Sequence, residues 1–249
     1  MNSSPATLLP MFRKLRYWRD LDQDDQDAVL ALPHVVKHLE KHQYVVRERD
    51  LATQCCVMLS GYSIRHKIVA AGARQIVAIH MKGDMVDLQN SILGVADHSV
   101  QTLTPSEVAM IPRAAIEKLV VDRPNVGLAM WHDTLVDGSM FREWIANVGR
   151  RDAHTRVAHL LCEFALRLQI AGLGEQGSYE LPMTQEELAD AVGLTSIHVN
   201  RTIKVLQKEG LIDRPTARSI VIGDWKKLAA AGDFDRTYLH LPEDETALN

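Results

Sequence analysis

Between Thr195 and Lys208 the sequence TSIHVNRTIKVLQK spaces its cations for contact with a polyanion. On a helix that turns about 100° per residue, Ile197, Arg201, Lys204 and Lys208 fall on one side, and Val199, Ile203 and Leu206 fall on the other. One side is built to pack and the other to face out. An arginine on the outer side can fork two N–H groups onto a guanine edge in the DNA major groove, while lysines reach phosphate oxygens. Ser196, Ile197, Asn200 and Arg201 are therefore the candidates for base contacts, and Thr184, Thr195, His198, Lys204 and Lys208 for the DNA backbone. The competing reading is a solvated charged face, the usual fate of a Lys/Arg stripe.

Other reactive side chains give weaker patterns. His34, His38 and His42 lie at i, i+4 and i+8, which would gather three imidazoles on one face of a helix as a metal constellation. The neighbouring Val35-Val36 and Tyr44-Val45-Val46 favour a strand instead, where such spacings are too long for one ion. His80, His132, His154 and His159 are scattered, and haem ligation by one of them stays open. The three cysteines, Cys55, Cys56 and Cys162, make neither a disulfide framework nor a zinc spacing and read as buried thiols. A metal-dependent enzyme of the cupin type would need His and carboxylate ligands converging inside a barrel, and no H-x-H or similar spacing supplies them. No catalytic residue, metal or cofactor is expected, and the chain does not read as an enzyme.

The elements around the basic helix carry the discrimination. Thr184 precedes an apolar run and Glu187 follows three residues later, the signature of a capping box. Leu188, Ala189 and Val192 give that first helix an apolar stripe, and Gly193 supplies its left-handed end. Thr195 caps a second helix, which Gly210 stops. Two capped helices across a tight turn form a helix-turn-helix. Behind them Leu211-Ile212, a turn at Arg214-Pro215-Thr216, and Ser219 to Ile222 read as a two-stranded wing. Upstream, residues 1–32 read as a helical lead-in with an acidic helix start. From Pro33 to about Pro112, short β-branched runs at Tyr44–Val46, Val57–Leu59, Ser63–Ile68, Gln75–His80 and Val108–Ile111 read as an antiparallel barrel or jelly roll. From Asp122 to about Val148 a helix carries Leu128, Trp131 and Leu135 on one side and Val126, Met130, Phe141, Trp144 and Val148 on others. A helix apolar on several faces needs several partners, which a twin helix across a two-fold axis would supply; burial inside a monomer core is the alternative. Gly149-Arg150-Arg151 reads as a hinge, Asp152 to Ile170 as a helix, GLGEQGSYELP as a loop, Trp225 to Ala230 as a short helix, and the PEDETALN end as disordered.

The order LPMTQEELADAVGLT, Arg201, IKVLQKEGLI and a wing resembles the DNA-binding domain of the Crp-Fnr family of bacterial transcription regulators. The β-rich segment resembles that family's cyclic-nucleotide-binding-type roll, with Leu59-Ser60-Gly61 and Gly83-Asp84 at its turns. The resemblance implies an α+β chain with a β-roll sensor domain and lead-in (1–121), a dimerisation helix (122–148), a winged helix-turn-helix (149–223) and a short helix and tail (224–249). It puts the guanine-reading arginine on Arg201, with Ile197 where many members carry a glutamate and Asn200 where oxygen-sensing members carry a serine. It implies a homodimer on a palindromic double-stranded operator, an unknown small-molecule effector in the roll, and RNA polymerase as a partner should the protein activate. The positions of the Gly-Glu and Arg-Ser pairs in cyclic-AMP-binding members hold Asp87-Leu88 and His98-Ser99 here, which mark the candidate effector pocket. No cysteine precedes Cys55, so the resemblance points to neither the cyclic-AMP nor the iron-sulfur branch. A roll that has lost its ligand altogether is the alternative. Arg49 stands where relatives usually have a turn glycine.

Length and composition agree with two modest domains: 249 residues, 46% apolar, 24% charged, net charge −4. The absence of a signal-type leader and of a long apolar run makes the expected location cytoplasmic, with no membrane partner.

Overall fold

A computed structural model describes residues 5–174 and 177–241. It divides into two compact units, the first holding the described residues up to Lys67 with Ala78–Gly138, the second Ile68–Val77 with Ser139 onward.

In the first unit a 3-10 turn at Pro5–Leu8 leads into α1 (Leu9–Trp18) and α2 (Gln23–Leu30). The acidic run starts α2 as its charge suggests. Asp22 accepts from the Asp25 N–H at 2.8 Å, and Asp25 returns the bond in a capping box. Strands β1 (Val35–Leu39), β2 (Tyr44–Val46), β3 (Gln54–Ser60), β4 (Ser63–Ile68) and β5 (Arg74–His80) follow, then the single turn α3 (Asn90–Leu93), β6 (Ser99–Thr102) and β7 (Ser106–Pro112). They form two antiparallel sheets, ordered β1-β7-β3 and β2-β6-β4-β5. Leu8, Met11, Phe12 and Val29 of the lead-in bury against Cys55, Val57, Ala109 and Ile111 of the first sheet. A smaller cluster of Cys56, Met58, Val86, Val100, Val108 and Met110 joins the strands. At Gly61 the backbone is left-handed (φ +74°) and an added Cβ would lie 2.6 Å from the Pro105 carbonyl, so only glycine closes that turn.

The histidine trio does not share a helix. His38 lies in β1 beside Glu107 at 3.1 Å, His34 bonds the Leu32 carbonyl at 2.8 Å, and His42 sits in a left-handed turn at φ 66°. Arg49 also takes a left-handed backbone, φ 75°, where relatives would place glycine. Strand β6 and the helix α4 (Arg113–Asp122) go beyond the sequence expectation; β6 is four residues long and fixed by pairing with β2 and β4 rather than by its own composition.

Arg123 breaks the helical run and α5 spans Pro124–Arg150. The expected hinge at Gly149–Arg151 is narrower, because α5 continues through Gly149 and Arg150. The break comes where Asp152 accepts from the Thr155 N–H at 2.9 Å and starts α6 (Ala153–Ile170). After it come β8 (Ser178–Glu180), α7 (Gln185–Val192), α8 (Ser196–Lys208), β9 (Ile212–Asp213), β10 (Ser219–Ile222), α9 (Trp225–Ala231) and a 3-10 turn at Arg236–Leu239. The wing has three strands, not two, in the order β8-β10-β9. The supposed loop contributes the third, its Tyr179 hydroxyl donating to the Leu161 carbonyl at 3.0 Å. The PEDETALN end lies outside the described residues.

Candidate nucleic-acid interface

The helix-turn-helix is built by local bonds. Thr184 accepts from the Glu187 N–H at 3.1 Å and its own N–H donates to the Glu187 carboxylate at 2.7 Å, which starts α7. Gly193 ends it in a left-handed conformation, φ 65°. Thr195 then accepts from the His198 N–H at 3.2 Å and starts α8. Val199, Ile203 and Leu206 of α8 are buried, together with Leu188, Ala189 and Val192 of α7. Ser196, Ile197, His198, Arg201, Lys204 and Lys208 are exposed, as are Thr184 and Thr195. Nine candidate DNA residues were named from sequence: eight are exposed, and Asn200 is partly covered.

That covering is informative. The Asn200 amide donates to the Gln185 side chain at 3.0 Å, so the first residue of α7 orients a base-contact candidate on α8. Sequence reading did not single out Gln185; its position directly after the Thr184 cap was the available signal. A groove of about 570 Å³ runs beside α8, lined by Ile197, His198, Arg201 and Val205 and by Asp152, Ala153 and His154 from the start of α6. His154 also meets Glu209 at 2.7 Å, which ties the start of α6 to the end of α8.

Helix α6 is fixed by a buried polar network. The Glu163 carboxylate accepts from the Trp144 indole at 2.9 Å and from the Tyr238 hydroxyl at 2.7 Å. Burial, then the Glu163 charge, push the Tyr238 phenol up, so it remains the donor. His159 contacts the Gly232 carbonyl at 3.0 Å and the Tyr238 hydroxyl at 3.2 Å, and burial lowers its basicity. The C-terminal turn thus buttresses the helix against which α7 and α8 pack.

The four candidate effector residues lie in the first unit. Asp87 is buried, and its carboxylate accepts from the Cys56 N–H at 2.7 Å; burial pushes it up to about 7. It faces the protein backbone. Leu88 packs against the main core. His98 is buried, 2.6 Å from Asp97 and 3.4 Å from Gln89, with its basicity lowered by burial. Ser99 accepts from the Glu48 N–H at 3.0 Å.

Sequence reading missed the strongest charges nearby. The Arg65 guanidinium, buried on β4, donates to Asp137 of α5 at 2.7 Å and to the Val86 carbonyl at 2.7 Å. Lys14 of α1 lies 2.8 Å from Asp133 of α5 and 3.0 Å from Asp84. Burial alone would lower Lys14, but the two carboxylates override it and hold the ammonium above its usual value. Asp137 stays ionised against its own burial chiefly because of Arg65. His80, buried beside Asp84, is pulled down to about 4 by desolvation. Cys55, Cys56 and Cys162 are buried free thiols, with Cys55 pushed up to about 12 by burial. Among the described residues no group of three His, Cys, Asp or Glu side chains is placed to hold a metal ion, and no helix is long and apolar enough to cross a membrane.

Two families match this chain: the cyclic nucleotide-binding domain over residues 36–123 and the Crp-like helix-turn-helix domain over residues 155–231. The transcriptional activator protein FnrL of Cereibacter sphaeroides is 27% identical over 211 residues, which cover 82% of this chain and 84% of the relative. The nitrogen fixation regulation protein FixK of Bradyrhizobium diazoefficiens is 28% identical over 175 residues, 70% of this chain and 73% of the relative. Among solved structures, FixK2 from Bradyrhizobium japonicum has the same fold, with a TM-score of 0.73 at 24% identity over 80% of this chain and 98% of that one. A double mutant of CooA from Carboxydothermus hydrogenoformans gives 0.66 at 19% identity over 80% and 88%. With both domains in this order on one chain, the protein is a homologue of the Crp-Fnr transcription regulators, which are DNA-binding proteins and not enzymes.

Proposed function

We propose that two copies of this chain read a palindromic operator in the cytoplasm, each placing α8 in a major groove, with half-sites about 34 Å apart. The observation that carries the reading is the outer face of α8. Arg201, Lys204 and Lys208 are exposed on a helix capped at its N-terminus and held at a fixed turn from α7. Arg201 forks onto a guanine, Ser196, Ile197 and Asn200 contact neighbouring bases, and Thr184, Thr195, His198, Lys204 and Lys208 meet the backbone. The dimer is supported by α5, where Leu128, Trp131 and Leu135, three and four residues apart, are 41, 62 and 57% exposed. That spacing is the seam of a two-helix coil. On this reading residues 122–148 dimerise, 149–223 bind the operator, and RNA polymerase is the further partner if the bound dimer activates.

A specific observation favours control without a small ligand in the roll. Asp87, His98 and Ser99 already bond groups of the protein. A carboxylate and a histidine of lowered basicity at those positions do not fit a cyclic phosphate. Arg65 to Asp137 already joins the roll to α5, the connection an effector would otherwise supply. The experiment is selection of bound sequences from a random DNA library by the purified chain, alone and with cell extract. A palindrome recovered by the chain alone supports the ligand-free reading, one recovered only with extract supports a diffusible effector, and none in either arm refutes operator recognition. Arg201→Ala should weaken specific binding by about 1–3 kcal/mol and relax one base position; an equal loss on every sequence would refute the base-reading role.

A further inference from the structure

Two large apolar side chains are exposed on α8, Ile197 and Val205, and Ile197 is the one in the first turn, the part of a recognition helix that meets base edges. It is 66% exposed, a β-branched apolar side chain among cations and hydroxyls, in the first turn of the helix. Water is a poor partner for it, and a basic helix face gains nothing for phosphate contact from an isoleucine. Arg201 lies four residues later, so the two side chains share a face about 6 Å apart along the axis. Base pairs are stacked about 3.4 Å apart. With Arg201 over a guanine, Ile197 therefore lies over the base pair one or two steps away. The major-groove edges present hydrogen-bonding atoms at every base and an exposed apolar group at one, the C5 methyl of thymine.

We infer that Ile197 is a specificity-determining residue that selects thymine, one or two base pairs from the guanine read by Arg201, by burying the thymine methyl group. The inference rests on the assignment of α8 as the recognition helix. It converts a position where many members of the family carry a hydrogen-bonding glutamate into one that reads methyl. Asn200, tied to Gln185 at 3.0 Å, is positioned to supply the polar contact beside it.

The test uses the full-length protein and the operator recovered from the random library. Each thymine of the half-site is replaced in turn by deoxyuridine, which removes the methyl and keeps every hydrogen-bonding atom. At one thymine next to or one removed from the guanine, affinity should fall about fourfold per half-site, the amount expected for one buried carbon. Ile197→Ala, an exposed substitution that leaves the core intact, should bind the thymine and deoxyuridine operators equally. Wild-type protein indifferent to deoxyuridine at both positions overturns the inference, as does an Ile197→Ala variant that keeps the preference. If Arg201→Ala still loses guanine discrimination in those cases, the recognition-helix assignment stands and this inference alone fails. A library that yields no palindrome overturns both.

Discussion

Replacing Arg65 tests whether the roll's interior charges hold α5 in place. Its side chain is 3% exposed and donates to Asp137 and to the Val86 carbonyl, both at 2.7 Å. Arg65→Met preserves much of the volume but removes both bonds. Deleting one partner of a buried pair costs about 3–5 kcal/mol, mostly through the charge left behind. The Asp137 side chain is 28% exposed, so water recovers part of its solvation and the expected loss is near the bottom of that range, about 3 kcal/mol. Asp137→Leu should cost more than Arg65→Met, because it strips the carboxylate from the deeper of the two charges. The double variant Arg65→Met/Asp137→Leu should recover most of the loss, giving a coupling of at least about 1.5 kcal/mol. Urea unfolding of the full-length chain, followed by circular dichroism with unchanged m-values, measures all four species. Additivity of the single variants within about 0.5 kcal/mol would refute the coupling. A second readout separates stability from control. Under conditions where every variant is folded, ligand-free operator affinity should fall about tenfold for Arg65→Met if the pair biases α5 by about 1.4 kcal/mol. Unchanged affinity would mean that the pair stabilises the roll without serving regulation.

Two of the shifted groups inside the first unit, His80 and Asp87, should oppose each other in pH dependence. His80, folded near 4 and unfolded near 6.5, contributes stability that is lost as pH falls through that window; Asp87, folded near 7 and unfolded near 3.8, contributes stability that is lost as pH rises through its own. Between about pH 4 and 6.5 these two contributions run in opposite directions, so, relative to wild type, the stability of His80→Gln should fall with rising pH by up to about 1.4 kcal/mol per unit and that of Asp87→Asn should rise; parallel profiles for wild type and both variants would contradict this. Gln185→Ala should untie Asn200, relaxing one base position in the selected operator while leaving the melting temperature within the range of a surface change; a shift in general DNA affinity with unchanged specificity would count against it. Gly193→Ala forces a side chain into φ 65° and should cost about 1–2 kcal/mol in thermal or urea unfolding, whereas Gly149→Ala, inside a helix with open space around it, should not destabilise.

The helix-turn-helix was legible because its determinants are local. A threonine, a glutamate three residues later, a glycine and a second threonine specify two caps and a turn without reference to the rest of the chain. Strand β4 was equally plain in extent, Ser63–Ile68, yet its chemistry was hidden. Ser63, Arg65 and Lys67 look like the solvent-facing half of an alternating strand, whereas Ser63 to His66 are all buried. Asp133 and Asp137 likewise read as an ordinary acidic pair on a helix. Their partners, Lys14 and Arg65, come from distant parts of the chain, and no periodicity announces such a pairing. Strand β8 failed for the same reason: SYE is too short to declare itself and becomes a strand by pairing with β10. Local chemistry was readable, and long-range satisfaction of buried polar groups was not.

Those unreadable contacts bear on how the roll would govern DNA binding under the proposed ligand-free control. On α5, Asp133 and Asp137 lie about 200° around the helix from Trp131 and Leu135. One face of α5 is thus held by cations of the lead-in and the roll, and the opposite face carries the exposed apolar stripe. A helix is stiff across its own diameter, so the coupling expected of Arg65→Met would reach the stripe through α5 itself. A ligand bridging roll and helix would act on the same face that these two ion pairs already grip. On the proposed reading the chain's own arginine and lysine supply that grip, and no ligand is needed to hold this face of α5.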